Sequence, residues 1–143
     1  MTSNAPRKSS FARRVLLVDH REPILETLAF ELRCAGSMVK VVHTDCDALL
    51  MAKSFRPELL VTKVSMPAMG DLAEAIEIKR WNRDCKVVLL SFWDIAVDAA
   101  TVLTAGDFTF HLLCRPEHPA RLFDHIESVF EDHATASVAS GAA

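Results

Sequence analysis

The chain has 143 residues, 50% of them hydrophobic and 24% charged, which is enough apolar material to close the core of one soluble domain. Its formal net charge of −3 argues against a nucleic-acid surface, which needs a strongly basic balance. No apolar run approaches the roughly 20 residues that span a bilayer, and the opening MTSNAPRKSSFARR lacks the apolar stretch of a secretory signal, so a cytoplasmic protein is expected.

In chain order, residues 1–12 are polar and contain a proline, and are expected to be a flexible tail before a single domain over 13–132. RVLLVD (14–19) predicts a first strand. A helix follows over 22–35, with Ile24, Leu25, Leu28, Leu32 and Ala35 on one stripe and Gly36 as its stop. MVKVVH (38–43) is a second strand, followed by a helix over 45–55. ELLVTK (58–63) is a third; it runs into Lys63 and a turn marked by Pro67 and Gly70, before a helix over 71–82. KVVLLS (86–91) and FTFHLL (108–113) complete the strands, with helices predicted over 94–104 and 118–131. In the last helix, Leu122, Ile126, Val129 and Phe130 repeat at helical spacing after Pro119. Residues 133–143, HATASVASGAA, are expected to be a second flexible tail.

Five strand-then-helix units predict an α/β fold, a flavodoxin-like (βα)5 doubly wound parallel sheet with strand order 2-1-3-4-5. In such sheets the chemistry collects at the carboxyl ends of the strands. Here those ends supply Asp19 and His20, then Lys63, then Ser91, then Arg115.

At these residues the sequence resembles the receiver domain of two-component response regulators. The likeness covers about residues 13–131 and rests on VLLVDH, Met66-Pro67, VVLLS, Ala105-Gly106 and CRP at 114–116, in that order and at the family's spacing. The resemblance implies two acids after strand 1, a phosphate-accepting aspartate four residues before the proline, a hydroxyl after strand 4 and a lysine before the proline after strand 5. The carboxylates hold Mg²⁺, a hard cation that takes oxygen ligands, and metal and lysine neutralise the phosphoryl group in transfer. Asp19 and Ser91 match that pattern. His20 replaces the second acid, Lys63 stands on the phosphoacceptor, and Arg115 replaces the lysine, with two extra residues between Gly106 and Arg115. The turn after Met69 reads Gly-Asp where the family more often has Asp-Gly.

Three carboxylates and a lysine give a pocket of −2, whereas Asp19, Lys63 and Arg115 with neutral His20 give +1. Such a pocket repels Mg²⁺, and an amine cannot form an acyl phosphate. Two readings of Lys63 remain open: an ion pair with Asp19 that locks one conformation, or a decayed pocket with the lysine reaching solvent along its stem.

Two ligands beside two cations make His20 with Asp19 a poor metal site, and Ser91 has no assignable base, so neither a metal nor a catalytic residue is expected. Phe92, Trp93, Phe108, Phe110 and His111 are candidates for a partner surface, on the face built by the fourth helix, fifth strand and fifth helix, where receivers commonly dimerise or meet partners. The four cysteines, Cys34, Cys46, Cys85 and Cys114, have no metal-site spacing and are expected to be reduced and mostly buried; Cys114 beside Arg115 is the one candidate for an activated thiol.

The sequence therefore reads as a stand-alone pseudo-receiver, a phosphorylation-independent interaction module in bacterial signalling. It is expected to need no cofactor, to have no enzymatic activity and to contact a signalling protein (a histidine kinase or another response regulator) or a second copy of itself. The alternative is a sensor of an anionic small molecule, nucleotide or phosphate, held by Lys63, Ser91 and Arg115.

Overall fold

The computed structural model describes residues 11–19, 23–64, 69–91, 100–105, 108–114 and 121–131. Three apolar runs make the centre of the sheet: β1 (Arg14–Val18), β3 (Leu59–Val64) and β4 (Lys86–Ser91). Within them Val15 to Val18, Leu59 to Thr62 and Val87 to Ser91 are at most 1% exposed, so both faces of each strand are covered and the sequence runs apolar without alternation. With β2 (Met38–Val42) and β6 (Phe108–Cys114) they form five parallel strands in the order β2-β1-β3-β4-β6. This is the flavodoxin-like order 2-1-3-4-5 that the sequence predicts.

A sixth strand corrects the expected helix over 94–104 in its last part, residues 100–104; residues 94–99 lie outside the described residues. β5 (Ala100–Ala105) pairs antiparallel with β6, from Ala100 beside Leu113 to Ala105 beside Phe108, and forms the sheet edge. Thr101, Val102 and Thr104 are β-branched and favour extended backbone. Only Gly106-Asp107 separates this run from Phe108, the two-residue spacing of a hairpin. Over 100–105 the element expected to be a fourth helix is therefore a strand.

α1 (Pro23–Cys34) starts on proline, whose fixed φ suits a first helical turn, and buries Leu25, Leu28, Ala29 and Leu32. It ends where Gly36 takes φ 104°, a left-handed conformation that favours glycine. There the Gly36 N–H donates to the Arg33 carbonyl and the Ser37 N–H to the Leu32 carbonyl, which satisfies the last turn. α2 (Asp45–Phe55) is capped by the Thr44 hydroxyl, which accepts from the Asp47 N–H at 3.0 Å. α3 (Met69–Trp81) and α4 (residues 121–131) complete the described helices.

The pleat divides the core. Val15, Leu17, Leu59, Val61, Val88 and Leu90 pack against α1 and α4, while Leu16, Val18, Leu60 and Leu89 pack against α2 and α3. Phe11, which the sequence places in the leading tail, is 7% exposed and meets Phe123 and Phe130 edge-on at 5.8 and 5.6 Å. Phe110, expected on a partner surface, is fully buried in the α2–α3 core. A strand between two others turns alternate side chains into the sheet's covered faces, and β6 lies between β4 and β5. The cysteines also depart from expectation: Cys85 is buried, but Cys34 and Cys46 are exposed, in the last turn of α1 and the first turn of α2.

α2 ends on Arg56, the one described non-glycine residue with positive φ, at φ 51° and ψ 66°. Left-handed backbone costs a side-chain-bearing residue roughly 1–2 kcal/mol, part of which glycine returns through its freer unfolded chain. Arg56→Gly is expected to raise stability by about 0.5–1 kcal/mol in urea unfolding. A clear loss of stability would show that the arginine side chain contributes more than its backbone costs.

Candidate functional site at the strand ends

The parallel register sets the geometry of the crevice. Val18 on β1 lies beside Thr62 on β3, so Asp19, the next residue, is level with Lys63. Lys63 in turn lies beside Leu90 on β4, Val64 beside Ser91, and Ser91 beside Cys114 on β6. Neighbouring strands are roughly 4.8 Å apart. The carboxyl ends of β1, β3, β4 and β6 thus bring Asp19, Lys63 and Ser91 to one edge of the sheet, with Arg115 following Cys114 in the chain.

Asp19 is 1% exposed and Ser91 is fully buried, while Lys63 is half-buried. The Asp19 backbone is fixed from both sides: its N–H donates to the Val42 carbonyl at 2.8 Å, and His43 Nδ1–H donates to its carbonyl at 2.8 Å. A buried carboxylate needs cations or donors around it, and each of Asp19, Lys63 and Ser91 is engaged in polar contacts. His20, Arg115, Phe92 and Trp93 lie outside the described residues, as does the side chain of Cys114. Among the described residues, no group of three or more histidine, cysteine, aspartate or glutamate side chains is placed to hold a metal ion.

Two of the remaining surface candidates are held against the body of the protein. Phe108 is half-buried on the α2–α3 core, with the Arg83 guanidinium 5.5 Å and the Lys79 ammonium 6.0 Å from its ring centre. His111 is half-buried, between Val88 on β4 and Val102 on β5.

On the opposite face of β3 from Lys63 is a titratable group that sequence reasoning misses. Glu74 of α3 is 7% exposed; Oε1 accepts from the Thr62 hydroxyl at 3.4 Å, and the buried Oε2 has no hydrogen-bond donor among the described residues. Burial, then the charge of Asp45 on α2, pushes its carboxyl up from 4.5 to about 8, against the lowering bond from Thr62. The signal was available: Glu74 precedes Ile78 by one helical turn, so it lies on the apolar stripe of α3. Cys85, by contrast, is an inert thiol, pushed up to about 12 chiefly by burial.

The class defined by this fold is the CheY-like fold, and the sequence is similar to response regulators over part of their length. The chain is 30% identical over 93 residues to the response regulator MprA of Mycobacterium ulcerans, a match covering 65% of this chain and 40% of that relative. The chain thus spans about two-fifths of the length of the curated relatives it matches. The structure superposes on a CheY-like receiver domain protein from Methanospirillum hungatei with a TM-score of 0.64 at 17% identity, covering 87% of this chain and 99% of that one. It also matches a chain in the complex of histidine kinase ThkA with response regulator protein TrrA, with a TM-score of 0.60 at 23% identity, covering 82% of this chain and 97% of that one. No family model matches the chain. No helix among the described residues is long and apolar enough to cross a membrane.

Proposed function

We propose that this domain is a receiver that signals by protein contact without aspartyl phosphorylation. The observation that carries the reading is Lys63 at the end of β3, level with Asp19, where a phosphate-accepting carboxylate would be needed. An ammonium there cannot form an acyl phosphate, and it neutralises the charge that would gather Mg²⁺. In this reading Lys63 and Asp19 form the pair that replaces the metal, because a buried carboxylate is stabilised by a neighbouring cation. A fixed pocket leaves contact as the output, with a histidine kinase or another regulator as the partner class; the ThkA–TrrA complex shows a kinase and a regulator of this fold class together.

The test is an amide NMR spectrum with and without Mg²⁺ plus beryllofluoride, a mimic of the phosphorylated aspartate. Unchanged resonances at Asp19, Lys63 and Ser91 are expected. Specific shifts there would end the reading, and shifts produced by inorganic phosphate alone would favour the anion sensor instead.

A further inference from the structure

The amino ends of the strands, at the opposite edge of the sheet from Lys63, carry a charged concavity of about 450 Å³. Arg13, Arg14, Arg56, Arg83 and Lys86 line it against Glu58 and Asp84, five cations to two carboxylates in a chain whose net charge is −3. Glu58 is already engaged: it accepts from the Arg14 N–H at 2.9 Å and pairs with the Arg13 and Arg14 guanidiniums at 3.5 and 3.9 Å. Among the described residues, Arg56 and Arg83 have no carboxylate within ion-pairing distance.

A second cavity of about 210 Å³ adjoins the first through Arg56 and Asn82, and its walls include Lys53, the half-buried Trp81 and the buried Ala52 and Ile78. The two turns that meet here are tied together. The Asn82 amide donates to the Pro57 carbonyl at 2.8 Å, and the Lys79 ammonium donates to the Arg83 and Cys85 carbonyls at 3.1 and 2.8 Å. Arg14 Nε donates to the Arg56 carbonyl at 2.9 Å, and Arg56, in disfavoured left-handed backbone, is one of the two residues that both cavities share. Side chains kept in strained backbone are recurrent at functional sites.

We infer that these two cavities form one docking groove for an acidic peptide segment of a partner protein, with the partner's carboxylates on Arg56 and Arg83 and one apolar side chain beside the half-buried Trp81 ring. Arginine forks match carboxylates in two-point contacts, and an apolar pocket beside them supplies an anchor. Nucleic acid fits less well. Both rings on the groove walls already carry a cation on a face, Lys53 at 4.9 Å from the Trp81 centre and Arg13 at 4.3 Å from the Phe130 centre, which obstructs the face-on stacking that bases require. The inference concerns the edge of the sheet away from the strand-end pocket and stands without the reading given to Lys63.

The test titrates the full chain with three synthetic probes, followed by tryptophan fluorescence and amide NMR: an oligoglutamate with one central leucine, the same peptide without leucine, and an oligothymidylate of equal charge. The leucine peptide is expected to bind about tenfold more tightly than the all-glutamate one, with shifts at Arg56, Trp81 and Arg83. Arg56→Glu and Arg83→Glu should each weaken it about tenfold or more, with unchanged circular dichroism, while Phe30→Ala on α1 should have no effect. Failure of both peptides to bind, or indifference to Arg56→Glu in a folded variant, overturns the groove. Binding of the oligothymidylate as tight as the leucine peptide overturns the acidic-peptide assignment.

Discussion

Glu74→Gln raises the melting temperature at pH 8.5 and leaves it nearly unchanged at pH 4.5. The sign follows from linkage. In the folded chain Glu74 is held up to about 8, from 4.5, first by burial and next by the charge of Asp45. The unfolded chain gives up that proton near 4.5, so between pH 4.5 and 8 folding must take a proton back. The contribution of Glu74 is fully present below 4.5, falls as pH rises through 8, and is flat above it. A carboxyl this deeply buried is expected to cost roughly 2–4 kcal/mol over that interval. Glutamine keeps the shape and a polar contact for the Thr62 hydroxyl and removes the titration, so the gain at pH 8.5 should be about 5–10 °C. The readout is the difference in thermal unfolding between the two proteins at pH 4.5 and 8.5, which cancels the other carboxylates. Parallel pH slopes for both would show that Glu74 reaches water in the folded state.

The same residue shows what the sequence makes legible. Glu74 lies one turn before Ile78 on a face packed against Leu60, and a carboxyl at such a position has to be neutral or paired. The parallel sheet was readable because β1, β3 and β4 are buried on both faces, and burial on both faces leaves an uninterrupted apolar run. The strand ends were readable for the same reason, since register follows once the runs are aligned. The edge was not. Residues 100–105 contain two alanines and a leucine, which suit a helix as well as a strand, and the choice lay in β-branched residues and a two-residue connection to Phe108. Phe110 then moved from surface candidate to core because the added strand placed β6 inside the sheet. The basic groove escaped sequence reasoning because Arg13, Arg56 and Arg83 are far apart in the chain; only the shared amino edge of the strands gathers them.

His20→Asp combined with Lys63→Asp is expected to create a Mg²⁺-dependent beryllofluoride site at the strand ends. Charge and ligand count set the expected effect. With neutral His20, the natural residues Asp19, Lys63 and Arg115 sum to +1; the double variant has three carboxylates and one guanidinium, −2. Two unit charges 4 Å apart interact by about 4 kcal/mol at an effective dielectric of 20, so exchanging a cation for an anion beside Asp19 is worth several kcal/mol to a bound divalent ion. Mg²⁺ affinity should therefore rise about 100-fold or more over the natural chain. Lys63→Asp alone leaves two carboxylates and should recover only part of this, because a hard cation gains from each further oxygen ligand. Calorimetric titration of Mg²⁺ into the three proteins separates the cases. Recovery by the double variant, with β1 and β3 still holding Asp19 level with position 63, would mean that the scaffold of a phosphorylation pocket persists and only its chemistry has been exchanged. Failure of the double variant to bind, while still folded, would mean that the crevice itself has closed, and the reading of Lys63 as a substitute for metal would give way to one in which the pocket no longer exists.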